Sequence, residues 1–238
     1  MKKFYFYHGL LPLLLLLLAT LWLDYFHFDF ILSDHLYAVQ GYNWNLKENW
    51  LLEGIIHRGG RIFVGVCITL NLCALITTWF VSSMANYRRG LIYLLTTVLV
   101  SLVVVSGLKA ITHIDCPWSF QVYGGEKPVH PVFASIFGTG TGRCFPSGHA
   151  SGGYAWIALY FFCLLCKPRW RFAGLTFGLL LGAIFGFSQQ FRGAHLLSHD
   201  IWTVGICWFT ALIGFIWTSK KPIHVCQAEV GGYNPGYE

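Results

Sequence analysis

Two short segments hold most of the side chains able to do chemistry in this chain of 238 residues. The first is Arg143-Cys144-Phe145-Pro146-Ser147-Gly148-His149. Proline pre-sets the start of a helix, and serine is a good helix cap. The first N–H groups of a helix lack intrahelical partners, so that end attracts anions. Gly148 lets a ligand approach the backbone, and His149 can exchange a proton near neutral pH. The second segment is Arg192-Gly193-Ala194-His195, with His199-Asp200 just beyond it. The fork of Arg192 suits phosphate oxygens, to which it can donate two parallel hydrogen bonds. His195 is a candidate nucleophile toward a phosphoryl group. Its imidazole would need a neighbouring acceptor to hold the tautomer, and Asp200 and His199 are the local choices. Taken singly, the first segment also reads as a plain capped helix start, and the second as an arginine anchoring a helix end.

The elements that must position these residues are membrane helices. The chain is 55% hydrophobic and 11% charged, whereas charged residues make up about a quarter of a soluble domain. Six stretches approach the ~20 apolar residues that a bilayer-crossing helix needs: 8–27, 61–82, 91–110, 149–166, 172–190 and 200–218. The fold class expected is therefore all-α: a polytopic bundle of six transmembrane helices, one domain over 1–238 with a motif-bearing core at 90–215. The tail, 219–238, is expected to be disordered. The run Leu10–Leu23 behind Lys2 and Lys3 reads as an uncleaved first span rather than a signal peptide. It continues into Trp22, Tyr25 and Phe26, and no small-x-small cleavage site follows.

Lys and Arg accumulate on the cytoplasmic side of membrane proteins. With the N-terminus inside, every inner connection is short and basic: Lys2 and Lys3, Arg88 and Arg89, Lys167 with Arg169 and Arg171, then Lys220 and Lys221. Two long outer loops remain, about 28–60 and 111–148, with a short one near 191–199. Lys109 and both chemically capable segments then fall at the outer face. The net charge of +6 is spread along the chain, and no basic face suited to nucleic acid is evident. Isolated polar and aromatic residues get plain readings: Asp24, Asp29 and Asp34 as solvated ends of the first span, and Trp44, Trp50, Trp118 and Trp170 as interface anchors.

These residues together resemble the type 2 phosphatidic acid phosphatase superfamily of membrane lipid phosphatases. Its three motifs are Lys-x6-Arg-Pro, Pro-Ser-Gly-His and Ser-Arg-x5-His-x3-Asp. The second is intact as Pro146-Ser147-Gly148-His149; the first matches at Lys109 and Pro117, the third at Ser188 and His195. Three positions depart: Cys116 and Gln189 stand where the family has arginine, and His199, followed by Asp200, stands where it has aspartate. The resemblance implies a metal-independent mechanism without a cofactor. His195 attacks phosphorus to form a phosphohistidine, and His149 protonates the leaving oxygen. Lys109, Ser147, the Gly148 N–H and a relocated guanidinium, from Arg143 or Arg192, hold the phosphate. His199 or Asp200 orients His195. Of eight cysteines, only Cys116 and Cys144 lie in outer loops, where an oxidising compartment would let them form a disulfide.

The expected partners are the bilayer and a lipid phosphate, with no nucleic acid and no obligate protein partner. Undecaprenyl diphosphate, phosphatidylglycerol phosphate, phosphatidic acid and lipid A phosphates all fit. The expected location is a bacterial inner membrane with the site facing the periplasm. Two other readings stand beside this one. A metal-dependent hydrolase could use the four-residue spacing of His195 and His199, and a non-catalytic lipid transporter or pseudo-enzyme would account for the missing arginines.

Overall fold

The computed structural model describes residues 2–129 and 141–219. Among them there are no β-strands, and six helices are long and apolar enough to cross a membrane. Helix α1 spans Lys2–Tyr25. A surface helix α2, Phe28–Ala38, follows after a left-handed turn at His27. Helix α3 covers Trp50–Phe80. Its first ten residues, Trp50–Gly59, are wound as a π-helix and capped by Asn49, whose side chain accepts from the N–H groups of Leu51 and Leu52. Helix α4 is Arg88–Thr112, α5 Gly148–Cys166, α6 Arg171–Phe191 and α7 Leu197–Ser219.

Helix α5 forms the centre. Ala150, Ala155, Ile157, Ala158 and Phe161 on it are essentially inaccessible, packed among Tyr93, Val98, Cys207 and Ala211 of α4 and α7. Helix α6 carries glycine at every fourth position, Gly174, Gly178, Gly182 and Gly186. A Cβ added at Gly174 would come within 2.9 Å of Leu159, and one at Gly178 or Gly182 would overlap the Trp156–Ile157 backbone or the Tyr154 ring. Between membrane helices there is little hydrophobic drive, so close backbone approach of this kind supplies the dispersion contacts that hold α6 to α5. The outer faces expose Leu18, Leu21, Phe80, Val103, Ile213 and Trp217, an apolar belt suited to lipid. The first span is docked within the bundle: His8 shares a hydrogen bond with the Tyr160 hydroxyl (2.8 Å), and its carbonyl accepts from Trp208 Nε1.

Several expectations need correction. The stretch 28–60 is largely helical rather than an open loop. Asp29 is buried, not solvated. Its carboxylate accepts the Ser198 N–H (2.8 Å) and so caps the start of α7 from 169 residues away. Burial pushes its carboxyl above the ordinary range, against the pull of the N–H groups it accepts. Asp34 accepts from the Tyr123 hydroxyl. Trp44 is no membrane anchor; it is packed with Leu36, Phe120 and Tyr123 under Gly193. Gly193 lies at φ +69°, and a side chain there would run into the Trp44 ring. The expected tail lies outside the described residues except for Ser219, which is the last residue of α7.

Candidate active site

The ends of α4, α5, α6 and α7 meet at one end of the bundle. The segment after α4 is tied there three ways. Cys116 is disulfide-bonded to Cys144, the Cys144 N–H donates to the Ile114 carbonyl (2.9 Å), and the Trp118 N–H donates to the Gly193 carbonyl (2.9 Å). Thr112 Oγ1 at the end of α4 donates to the Phe145 carbonyl. The peptide before Pro146 is cis. The Ser147 N–H donates to Thr203 Oγ1 (3.0 Å), joining α5 to α7.

Lys109 reaches over the start of α5. A Cβ built on Gly148 would lie 3.3 Å from the Lys109 ammonium, so only glycine leaves room for an anion between the cation and the first-turn N–H groups. Ser147 is fully buried and does not cap its helix through its side chain. Its hydroxyl lies beside the Asp200 carboxylate instead. His149 stacks against Phe185 on one side and His57 on the other, each ring centroid 4.5 Å away.

His195 is buried in the turn before α7, and its Nδ1 lies 3.3 Å from His199 Nδ1. Desolvation first, then the charges of Lys109 and His199, hold its pKa well below the ordinary 6.5, against the pull of a backbone hydrogen bond with Cys144. Of the two local choices, His199 is the one whose ring nitrogen faces His195. Asp200 accepts from Gln190 Nε2 (2.5 Å) and packs on Gly186 of α6. Its carboxylate is therefore directed at α6, because a residue five positions on from His195 projects from another face of the helix.

The arginines divide as well. Arg143 is exposed, with no described partner. The Arg192 guanidinium, by contrast, is committed to protein. Nε donates to the Lys47 carbonyl (2.8 Å), Nη1 to Gln189 Oε1 (3.0 Å), and Nη2 pairs with the Glu53 carboxylate (2.5 Å). Three of its five N–H donors are thus directed at protein groups. Lys109, Ser147, Gly148, His149, His195 and His199 are thus brought together, Asp200 stands behind Ser147, Arg143 is at the surface, and Arg192 is a brace. The sequence reading did not find Glu53 and His57, which fell in a stretch taken for loop. Their signal was the helical spacing Glu53, His57, Arg61, in which Arg61 hydrogen-bonds His57. Among the described residues, no group of three or more His, Cys, Asp or Glu side chains is arranged to hold a metal ion.

Residues 90–223 match the PAP2 superfamily. That match spans more than half of the chain and contains every residue of the cluster. The chain belongs to the PAP2 superfamily. No curated protein and no solved structure matches it. PAP2 proteins are phosphatases acting on phosphate esters, so this is a multi-pass membrane protein of a hydrolase family. The Pro146-Ser147-Gly148-His149 motif opens α5, and Cys116, which stands where the resemblance noted from the sequence has arginine, is taken up in the disulfide.

Proposed function

We propose that the protein hydrolyses a phosphomonoester or diphosphate of a membrane lipid at the periplasmic face of a bacterial inner membrane, through a phosphohistidine and without a metal ion. The observation that carries the reading is a buried His195 beside Lys109, within hydrogen-bonding range of His199. With Nδ1 turned to His199, Nε2 is the nitrogen available to attack. The Nδ1–H of His195 then hydrogen-bonds toward His199 Nδ1 and the Cys144 backbone and keeps its proton throughout. Attack forms an N–P bond and breaks the bond between phosphorus and the lipid oxygen, which takes a proton from His149. Water then attacks phosphorus, His149 takes its proton, the N–P bond breaks and phosphate leaves. Lys109 and the first N–H groups of α5 offset the charge that develops on the phosphoryl oxygens. Arg143, exposed and without a partner among the described residues, is the guanidinium that joins them in this reading.

The short basic connections between α3 and α4 and between α5 and α6 support the orientation. A site at helix ends beside an apolar belt suits an amphiphile whose phosphate lies at headgroup depth. The test is phosphate release from undecaprenyl diphosphate, phosphatidylglycerol phosphate, phosphatidic acid and lipid A by purified protein, with and without chelator, beside His195→Ala and His149→Ala. The reading requires chelator-resistant release by the wild type and none by either variant. No release from any of these lipids, or variants equal to the wild type, rejects it.

A further inference from the structure

The PAP2 match begins at residue 90, yet the π-wound start of α3 lies directly on the site. We propose that Glu53 is a positioning residue for His149, acting as a latch between this segment and Arg192. The kinetic part of the proposal rests on the phosphatase reading above.

Arg192 ties together three stretches distant in sequence: residue 47, residue 53 and the end of α6. The Glu53–Arg192 pair is largely shielded, with side-chain exposures of 17% and 8%, whereas Arg58, the other partner of Glu53, is 71% exposed. Arg58 hydrogen-bonds Glu53 from an exposed position, where pairs hold little; Arg192 is the shielded partner. One turn beyond Glu53, the segment meets His149. The Ile56 carbonyl accepts from His149 Nε2 at 3.2 Å, and the His57 ring lies against the His149 ring. Gly60 completes the slot, since a Cβ there would press on Phe185 at 2.9 Å and on His149 Cε1 at 3.2 Å.

The Ile56 carbonyl can only accept, so it fixes the His149 proton on Nε2 and leaves Nδ1 as the nitrogen that exchanges protons with the reaction. That carbonyl sits in a segment tethered at its start by Asn49 and in its middle by Glu53. Releasing Glu53 frees the segment, and with it the ring orientation and tautomer of His149. The residues around His195 keep their contacts.

The experiment compares wild type, Glu53→Ala and Glu53→Asp as purified full-length protein. One readout is kcat and KM for phosphate release from phosphatidic acid in mixed micelles. The other is the 15N spectrum of the histidine rings, with His149 assigned by His149→Gln. The latch predicts that Glu53→Ala lowers kcat with KM little changed and abolishes the Nε2–H preference of His149, while Glu53→Asp restores part of both. Glu53→Ala with a wild-type or higher kcat, as a carboxylate merely blocking the phosphate site would give, overturns the proposal; so does an unchanged His149 spectrum. A wild type inert toward every lipid phosphate, in which Glu53→Ala still alters the His149 signals, would reject the phosphatase reading and leave the latch standing.

Discussion

Replacing His199 by leucine tests whether His199, rather than Asp200, orients the nucleophile. Leucine roughly keeps the volume and removes the acceptor facing His195 Nδ1 at 3.3 Å. The pair is buried, and the Cys144 backbone is a second hydrogen-bond partner of the His195 ring, so the variant removes one of two partners. Losing one hydrogen bond costs about 0.5–1.5 kcal/mol. If that cost falls on reaching the transition state, the rate drops about 2- to 12-fold. The drop should appear in kcat and in the amount of acid-labile phosphoenzyme trapped by rapid quenching. His199→Asn, whose amide oxygen can accept, should recover part of it. Asp200→Asn keeps a partner for Gln190 and touches no atom of His195, so its effect should be the smaller. Wild-type turnover in His199→Leu, or a larger loss in Asp200→Asn, would refute the assignment.

Three further outcomes are expected. Breaking the Cys116–Cys144 bridge with serine at both positions frees a loop of sequence separation 28, worth about 3.6 kcal/mol in the chain-entropy description. The double variant should melt at a clearly lower temperature in detergent, and an unchanged melting temperature would count against a structural role for the bridge. Asp29→Ala removes a buried cap of α7 and should cost about 0.5–2 kcal/mol, visible in the same melt while the His195 chemistry persists. Because His195 has a folded pKa below the ordinary 6.5, the unfolded chain binds more protons there than the folded one as the solution is acidified. Its contribution to stability is present above that value and lost as pH falls below it. Stability should therefore decline on the acid side, and less steeply in His195→Gln; equal slopes would show that the ring is not buried neutral.

The six spans were legible in the sequence because lipid imposes one simple requirement, a run of apolar residues long enough to satisfy its own backbone. The anion site was legible in Pro146-Ser147-Gly148-His149 because its chemistry is local, made by a proline, a glycine and a helix start within four residues. The disulfide could be inferred because only two cysteines fell outside spans and inner segments. The glycine stripe of α6 was also there to be read, since its four-residue period marks a face for close packing. The rest depended on distances between segments remote in sequence. Asp29, expected at a solvated helix end, caps a helix 169 residues away. Arg192, which by residue type suits phosphate, directs three of its five donors at Lys47, Glu53 and Gln189. His199 faces His195 while the Asp200 carboxylate packs over Gly186 of α6. Residue types and spacing state what each side chain is able to do. Which partner satisfies it is decided by packing, because a hydrogen-bonding group that has found a buried partner in the fold is no longer free for a ligand.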